Sequence, residues 1–261
     1  RSVPAGAVVD AVRALVDQGH SEIVLTGVDL TSYGHDLPGR PTLGRLVERI
    51  LTGVPTLQRL RLSSLDGIEI DDRLFDLITG DPRIMPHVHL SLQSGDDMIL
   101  KRMKRRHNRA QAIELVARLK AARPEIAIGA DLIAGFPTET EAMHEKNATI
   151  IAQCDIVHAH IFPYSPRQGT PAARMPQIDH TIIKRRAAEL RSHALDQTTR
   201  WRTTLIGKDL DMLVERDGQT GHAGNFAALR LDRARAELAD TIVSVRVTRV
   251  DDSHLSVRVL S

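Results

Sequence analysis

Ala127-Ile128-Gly129-Ala130-Asp131-Leu132-Ile133-Ala134-Gly135-Phe136-Pro137-Thr138-Glu139 is an apolar run that stops abruptly in a glycine, a proline and polar residues. A run this short, bounded by chain-breaking residues, reads as a strand buried on both faces. Four further runs share the texture, at 22–25, 60–62, 88–92 and 156–162. Amphipathic segments lie between them. Val8, Val9, Val12, Leu15 and Val16 mark one helical face ending at Gly19, and Leu43, Leu46, Val47 and Ile50 mark another that Gly53 is expected to stop. Ile113, Val116 and Leu119 continue the pattern before Pro124, and Ile150 with Ile151 closes a fourth. Strands roughly thirty to forty residues apart suit right-handed βαβ units and a parallel sheet, open or closed into a barrel.

A long charged helix is expected over 181–202, and no strand pattern follows it directly, so it closes a first domain spanning residues 1–202. From 203 to 261 the texture changes. Runs at 210–214, 227–231, 241–250 and 255–260 alternate like strands, with Asp217-Gly218, Gly221, Gly224 and Asp251-Asp252 as turn signals, and predict a small all-β module.

Composition sets limits. With 261 residues, 42% of them hydrophobic, the chain can bury a core, and 35 Lys and Arg against 33 Asp and Glu exclude a polybasic whole-chain binder. The single cysteine, Cys154, allows no disulfide and no cysteine-ligated metal centre from this chain alone. No apolar run is long enough to span a membrane, and the start, Arg1-Ser2-Val3-Pro4, lacks a signal-peptide pattern; the expectation is the cytosol and no membrane partner.

In parallel α/β architectures the chemistry sits at the carboxyl ends of strands. Here those ends read Thr26-Gly27-Val28-Asp29, Ser63-Ser64, Gln93-Ser94-Gly95-Asp96 and Gly135-Phe136-Pro137-Thr138-Glu139. Each alone reads as an ordinary turn. Together, small and polar groups recurring at one end of a sheet predict a pocket for a polar, medium-sized ligand. Lys101, Arg102, Lys104, Arg105 and Arg106 follow the third end, either as a solvated face or as a phosphate-holding rim. The β-module adds Lys208, Arg216, Arg230, Arg233 and Arg235, with Phe226 as a stacking ring. Aromatics at 3% argue against binding many stacked bases.

His87-Val88-His89 and His158-Ala159-His160 each place two imidazoles on one strand face. That spacing can ligate zinc and supports an alternative, a barrel metallohydrolase holding zinc through His158 and His160. Because both pairs precede the strand ends, ordinary packing is the preferred reading and no metal ligand is expected. Cys154 reads as a small buried thiol.

At the strand-end motifs the chain resembles the radical S-adenosylmethionine methylthiotransferases. The resemblance rests on Glu22-Ile23-Val24-Leu25-Thr26-Gly27-Val28-Asp29, on Leu90-Ser91-Leu92-Gln93-Ser94-Gly95 running into Leu100-Lys101-Arg102-Met103, on 131–139, and on Phe162-Pro163-Tyr164-Ser165-Pro166-Arg167-Gln168-Gly169-Thr170-Pro171-Ala172-Ala173. It is closest to the branch that adds a methylthio group to C2 of N6-threonylcarbamoyladenosine beside the tRNA anticodon. The β-module is similar to the family's RNA-binding TRAM barrel through Gly207, Glu215, Gly221 and Asn225-Phe226.

The resemblance implies that Gly27 to Asp29 meet the methionine amine of S-adenosylmethionine and that Ser63, Ser64, Gln93 and Ser94 contact its ribose and carboxylate. It further implies that Gly135 to Glu139 with Phe162 to Tyr164 shape the adenine side, and it groups Asp131 with the cofactor-binding residues. tRNA would meet Lys101, Arg102, Lys104, Arg105, Arg106, Arg216, Phe226, Arg230 and Arg233. The family uses two [4Fe–4S] clusters and an electron donor protein; one cluster is held by a CxxxCxxC loop and the other by three more cysteines, none of which is in this sequence. The expectation is therefore a piece of a longer enzyme, an incomplete parallel (β/α)6 barrel lacking its first strand and cluster loop, catalytically inert alone. A methylthiotransferase of a ribosomal protein and a non-catalytic RNA-binding fragment stay open as alternatives.

Overall fold

The computed structural model describes residues 1–260. Helices and strands alternate as α1 (Ala5–Asp17), β1 (Glu22–Leu25), α2 (Leu43–Gly53), β2 (Arg59–Leu62), α3 (Asp72–Gly80), β3 (His87–Gln93), α4 (Asp97–Arg102), α5 (Arg109–Ala122), β4 (Ala127–Ala134), α6 (Glu141–Gln153), β5 (Ile156–Pro163) and α7 (His180–Thr203). Strands β6 (Asp209–Val214), β7 (Thr220–Ala223), β8 (Ala228–Leu231), β9 (Ile242–Val250) and β10 (Leu255–Val259) follow. All five expected strands of the α/β region are present.

The chain divides into two compact units, one of Arg1–Ser63, Ile70–His87 and Arg200–Ser261, the other of Ser64–Glu69 and Val88–Thr199. In the first, β1 and β2 pair in parallel, with Ile23 opposite Leu60 and Leu25 opposite Leu62. Helix α2 packs against both α1 and α3. Its last residue, Gly53, is not a left-handed stop: a Cβ there would lie 2.9 Å from Val9 Cγ1, so the glycine lets α1 approach. In the second unit β4 lies between β3 and β5 and pairs with β5 in parallel. The fully buried Ile128, Ala130, Leu132 and Ala134 of β4 alternate with Asp131 and Ile133, which are partly exposed.

Strands β6 to β10 close a barrel in the order β10-β8-β7-β6-β9, antiparallel except for β10 on β8. Met212, Val214, Leu229, Val245, Val247, Leu255 and Val257 are buried in its core. Strand β7 was unexpected, because Gly221 read as a turn. Gly221 instead pairs with Val214 and Leu229, and a Cβ there would come within 2.1 Å of the Leu213 carbonyl oxygen. The glycine marks a close backbone approach, not a chain reversal.

Within the first unit the barrel is tied to β2. Arg59 and Arg61, both buried, donate to the Asp211 carbonyl at 2.8 Å and the Gly224 carbonyl at 3.1 Å. Glu22, opposite Arg59 in the register, accepts from Arg61 at 2.7 Å and neutralises the guanidiniums.

Candidate functional site

In the first unit, residues 26–29 leave β1 as an exposed loop lining a cavity of about 490 Å³ with Ser2, Leu25 and Tyr33. Gly27 and Asp29 face this space. The Asp29 carboxylate also closes its own turn, accepting from Thr31 Oγ1 at 3.2 Å and Ser32 Oγ at 2.6 Å. Ser63 follows β2, and its buried Oγ has no hydrogen-bond partner among the described residues, a donor held in readiness for something polar.

In the second unit the loops after β3 and β4 are bound into one buried network. Glu139 accepts from the Gly135 amide at 3.1 Å, from Arg186 of α7 at 2.9 Å and from the Asn147 amide group at 3.0 Å. Asn147 of α6 in turn accepts from Ser94 Oγ at 3.0 Å, and Ser94 Oγ accepts from the Asp96 amide at 3.1 Å. Burial pushes the Glu139 carboxyl up to about 7, against the pull of Arg186 and of the Gly135 amide. Gly135 has φ +72°, and a Cβ there would meet Ile183 of α7 at 2.6 Å. These contacts tie Ser94, Gly135 and Glu139 into the packing of the unit. Their side-chain polar atoms, or in Gly135 the missing side chain, serve the docking of α6 and α7 and are turned inward, because a buried carboxylate must find its donors inside the fold.

Gln93 and Thr138, neither glycine, adopt left-handed conformations at φ 68° and 69° where the chain leaves β3 and rounds the β4 loop. Such backbone costs about 1–3 kcal/mol and concentrates at functional turns. Ser64 and Phe162 are exposed, and Tyr164 sits edge-on to Phe136 at 5.4 Å with its hydroxyl buried and unpartnered among the described residues.

Asp131 has different company. Its Oδ1 lies 3.0 Å from His89 Nε2 and 3.2 Å from His160 Nδ1, and the two imidazoles stack obliquely at 4.9 Å. Burial raises the Asp131 carboxyl, but the two histidines outweigh it and hold it below the usual range. The grouping takes one histidine from each His-x-His pair, whereas the alternative zinc reading would use His158 with His160. Neighbouring parallel strands stand about 4.8 Å apart, closer than residues i and i+2 of one strand. The pattern along one strand could not reveal this.

The basic run is split in the same way. Lys101 and Lys104 are exposed and Arg105 is half-exposed, but Arg102 donates to Thr138 Oγ1 at 2.6 Å and Arg106 pairs with Glu69 at 2.5 Å. In the barrel, Arg216, Arg230 and Arg233 are exposed. Phe226, expected to stack on a base, is already stacked on His87 at 5.0 Å and His222 at 4.8 Å, with Arg61 4.8 Å from its centroid. The ring packs within the unit while 39% of the residue stays exposed.

Cys154 caps α6 fully buried, and burial pushes its thiol up to about 12, the opposite of a thiolate ligand. This chain's own residues do not fit an iron–sulfur cluster. S-adenosylmethionine fares better: in the first unit the glycine loop beside the cavity and the unpartnered hydroxyl of Ser63 suit a polar ligand with amine, carboxylate and hydroxyl groups.

Parallel βα units ending in small and polar loops define a class, and the comparison with known families agrees: residues 1–149 match the radical SAM superfamily, and the chain belongs to it. It is 52% identical over 233 residues, 89% of the chain, to the threonylcarbamoyladenosine tRNA methylthiotransferase MtaB of Rickettsia prowazekii, covering 55% of that protein. It is 35% identical over 82% of its length to the Thermotoga maritima protein of the same name, covering 49% of it, and 32% identical over 98% to the tRNA-2-methylthio-N(6)-dimethylallyladenosine synthase of Roseobacter denitrificans, covering 59%. The chain spans about half the length of the curated relatives it matches. Among solved structures, the radical SAM enzyme coproporphyrinogen III oxidase of Escherichia coli superposes over 78% of this chain and 48% of its own, with TM-score 0.51 and 13% identity, which shows the shared fold.

Proposed function

We propose that this chain serves a tRNA methylthiotransferase acting on N6-threonylcarbamoyladenosine. The observation that carries the reading is the 52% identity to the Rickettsia prowazekii enzyme over 233 residues, which takes in most of both compact units. Candidate S-adenosylmethionine contacts are Gly27, Asp29 and Ser63, which lie together in the first unit. When bound and reduced, that cofactor is the radical source of the superfamily. Both [4Fe–4S] clusters would be held by cysteines outside this sequence, and an electron donor protein would reduce them. The place of work is the cytosol, where tRNA is found.

The tRNA would lie against Lys101, Lys104 and Arg105 and, on the barrel, Arg216, Arg230 and Arg233. Phosphate contacts depend on unpaired cations, so each should add roughly 0.7 to 0.9 to the log–log salt slope of binding. Filter binding should show a slope lowered by about 2 to 3 when Lys101, Lys104 and Arg105 are all changed to Ala. Arg106→Ala, already neutralised by Glu69, should lower it far less.

The decisive experiment is nucleoside mass spectrometry of tRNA from cells deleted for the gene. The expected result is loss of the 2-methylthio form with N6-threonylcarbamoyladenosine accumulating. Unchanged tRNA nucleosides would overturn the reading, and an unmodified ribosomal protein in the same cells would replace it with the sister activity.

A further inference from the structure

We propose that His89, Asp131 and His160 form a binding site for one divalent first-row transition-metal ion, a capacity that the tRNA reading neither requires nor supplies. The three come from the adjacent strands β3, β4 and β5. Asp131 stands directly opposite His160 in the β4–β5 register, so both side chains leave the same face of the sheet. One ligand atom from each residue lies within 4.8 Å of the others.

The distances suit a coordination shell. With metal–nitrogen and metal–oxygen bonds of about 2.0–2.2 Å, tetrahedral ligands stand about 3.3 Å from one another and octahedral ones about 3.0 Å. Asp131 Oδ1 to His89 Nε2 is 3.0 Å, and to His160 Nδ1 is 3.2 Å. The third edge, between the imidazoles, lies within 4.8 Å, and His160, with 63% of its side chain exposed, has room to adjust it.

Exposure is graded across the site. The His89 side chain is 10% exposed, that of Asp131 22% and that of His160 63%. A site closed on the His89 side and open on the His160 side has an entry path and leaves coordination positions for a ligand oxygen or nitrogen. Two imidazoles and one carboxylate without sulfur select zinc, iron, cobalt or manganese over copper(I) or calcium. The rigid sheet beneath preorganises the site at little entropic cost.

The competing arrangement is a plain hydrogen-bond hub in which Asp131 Oδ1 accepts an N–H from each imidazole. The two differ in what occupies the centre, a proton on each nitrogen or one metal ion between lone pairs, so metal titration separates them. The full 261-residue chain, stripped with a chelator, would be titrated with Co²⁺ while its visible d–d absorption is followed, and with Zn²⁺ by calorimetry. The expected result is one equivalent of each ion. Outer-shell changes at metal sites already weaken binding 10–100-fold, so Asp131→Asn and His160→Ala should each weaken it at least about tenfold. His222→Ala, at a surface histidine paired with Glu215, should leave it unchanged. His160 is exposed, so His160→Ala tests the site in a folded chain, with circular dichroism as the check. Absence of stoichiometric binding, or binding that survives both Asp131→Asn and His160→Ala, would overturn the proposal and leave the hub.

Discussion

Two polar clusters of the second unit, a few residues apart along β4 and its loop, have opposite designs. Around Glu139 both carboxylate oxygens are buried and occupied, by Gly135, Arg186 and Asn147. Around Asp131 the carboxylate meets two imidazoles, one of them open to solvent. A polar group whose valences are all met inside the protein stabilises a loop, whereas one left on an accessible face keeps capacity for a ligand. Glu139 belongs to the more conspicuous motif, yet the structure spends it on anchoring.

The contrast breaks most visibly at Glu139→Ala. Arg186 has 5% of its side chain exposed and cannot shed its proton, so removing its buried acceptor leaves it only the exposed Glu141 carboxylate at 3.0 Å. A loss of about 3–5 kcal/mol in urea unfolding is expected. A loss below about 1 kcal/mol would show the network to be dispensable.

A smaller effect follows from pH. Burial raises Glu139 from 4.5 unfolded to about 7 folded, so between those values the folded protein keeps a proton that the unfolded chain has released. Stability from this group is fully present below about 4.5 and is lost as pH rises through about 7, by at most about 3 kcal/mol. Urea midpoints measured from pH 4.5 to 8 should fall with this slope in the native chain, and Glu139→Gln should remove its share. Identical slopes in the two proteins would mean that Arg186 keeps Glu139 ionised throughout.

The least effect is expected where the cluster is open. His160→Ala deletes an exposed ring and one hydrogen bond to Asp131, and should change stability by no more than about 0.5–1 kcal/mol. A loss as large as that for Glu139→Ala would erase the distinction between the clusters.

Much of the secondary structure was legible in the residues. The buried run of β4 stops before Gly135 as the pattern of apolar residues requires, and Ile113, Val116 and Leu119 lie on α5 as their spacing predicts. Helices α3 and α4 and strand β7 escaped that reading: the first two are short, and the third carries a glycine that serves packing where the sequence suggests a turn. Candidate loops were legible because small and polar residues bring an apolar strand run to an abrupt stop.

What each polar residue does was not legible, since that depends on partners distant in the chain. Ser94 meets Asn147, Glu139 meets Arg186 and Phe226 meets His87, across separations that no local pattern encodes. By itself, then, the sequence determined where most strands and helices lie, which loops are polar and that no iron–sulfur cluster can be built from its one cysteine. Only the tertiary structure decided which of those polar groups are consumed in holding the fold and which, as with His89, Asp131 and His160, are gathered from three strands to one point, because hydrogen bonding and metal ligation depend on distances of about 3 Å in space and not on spacing along the chain.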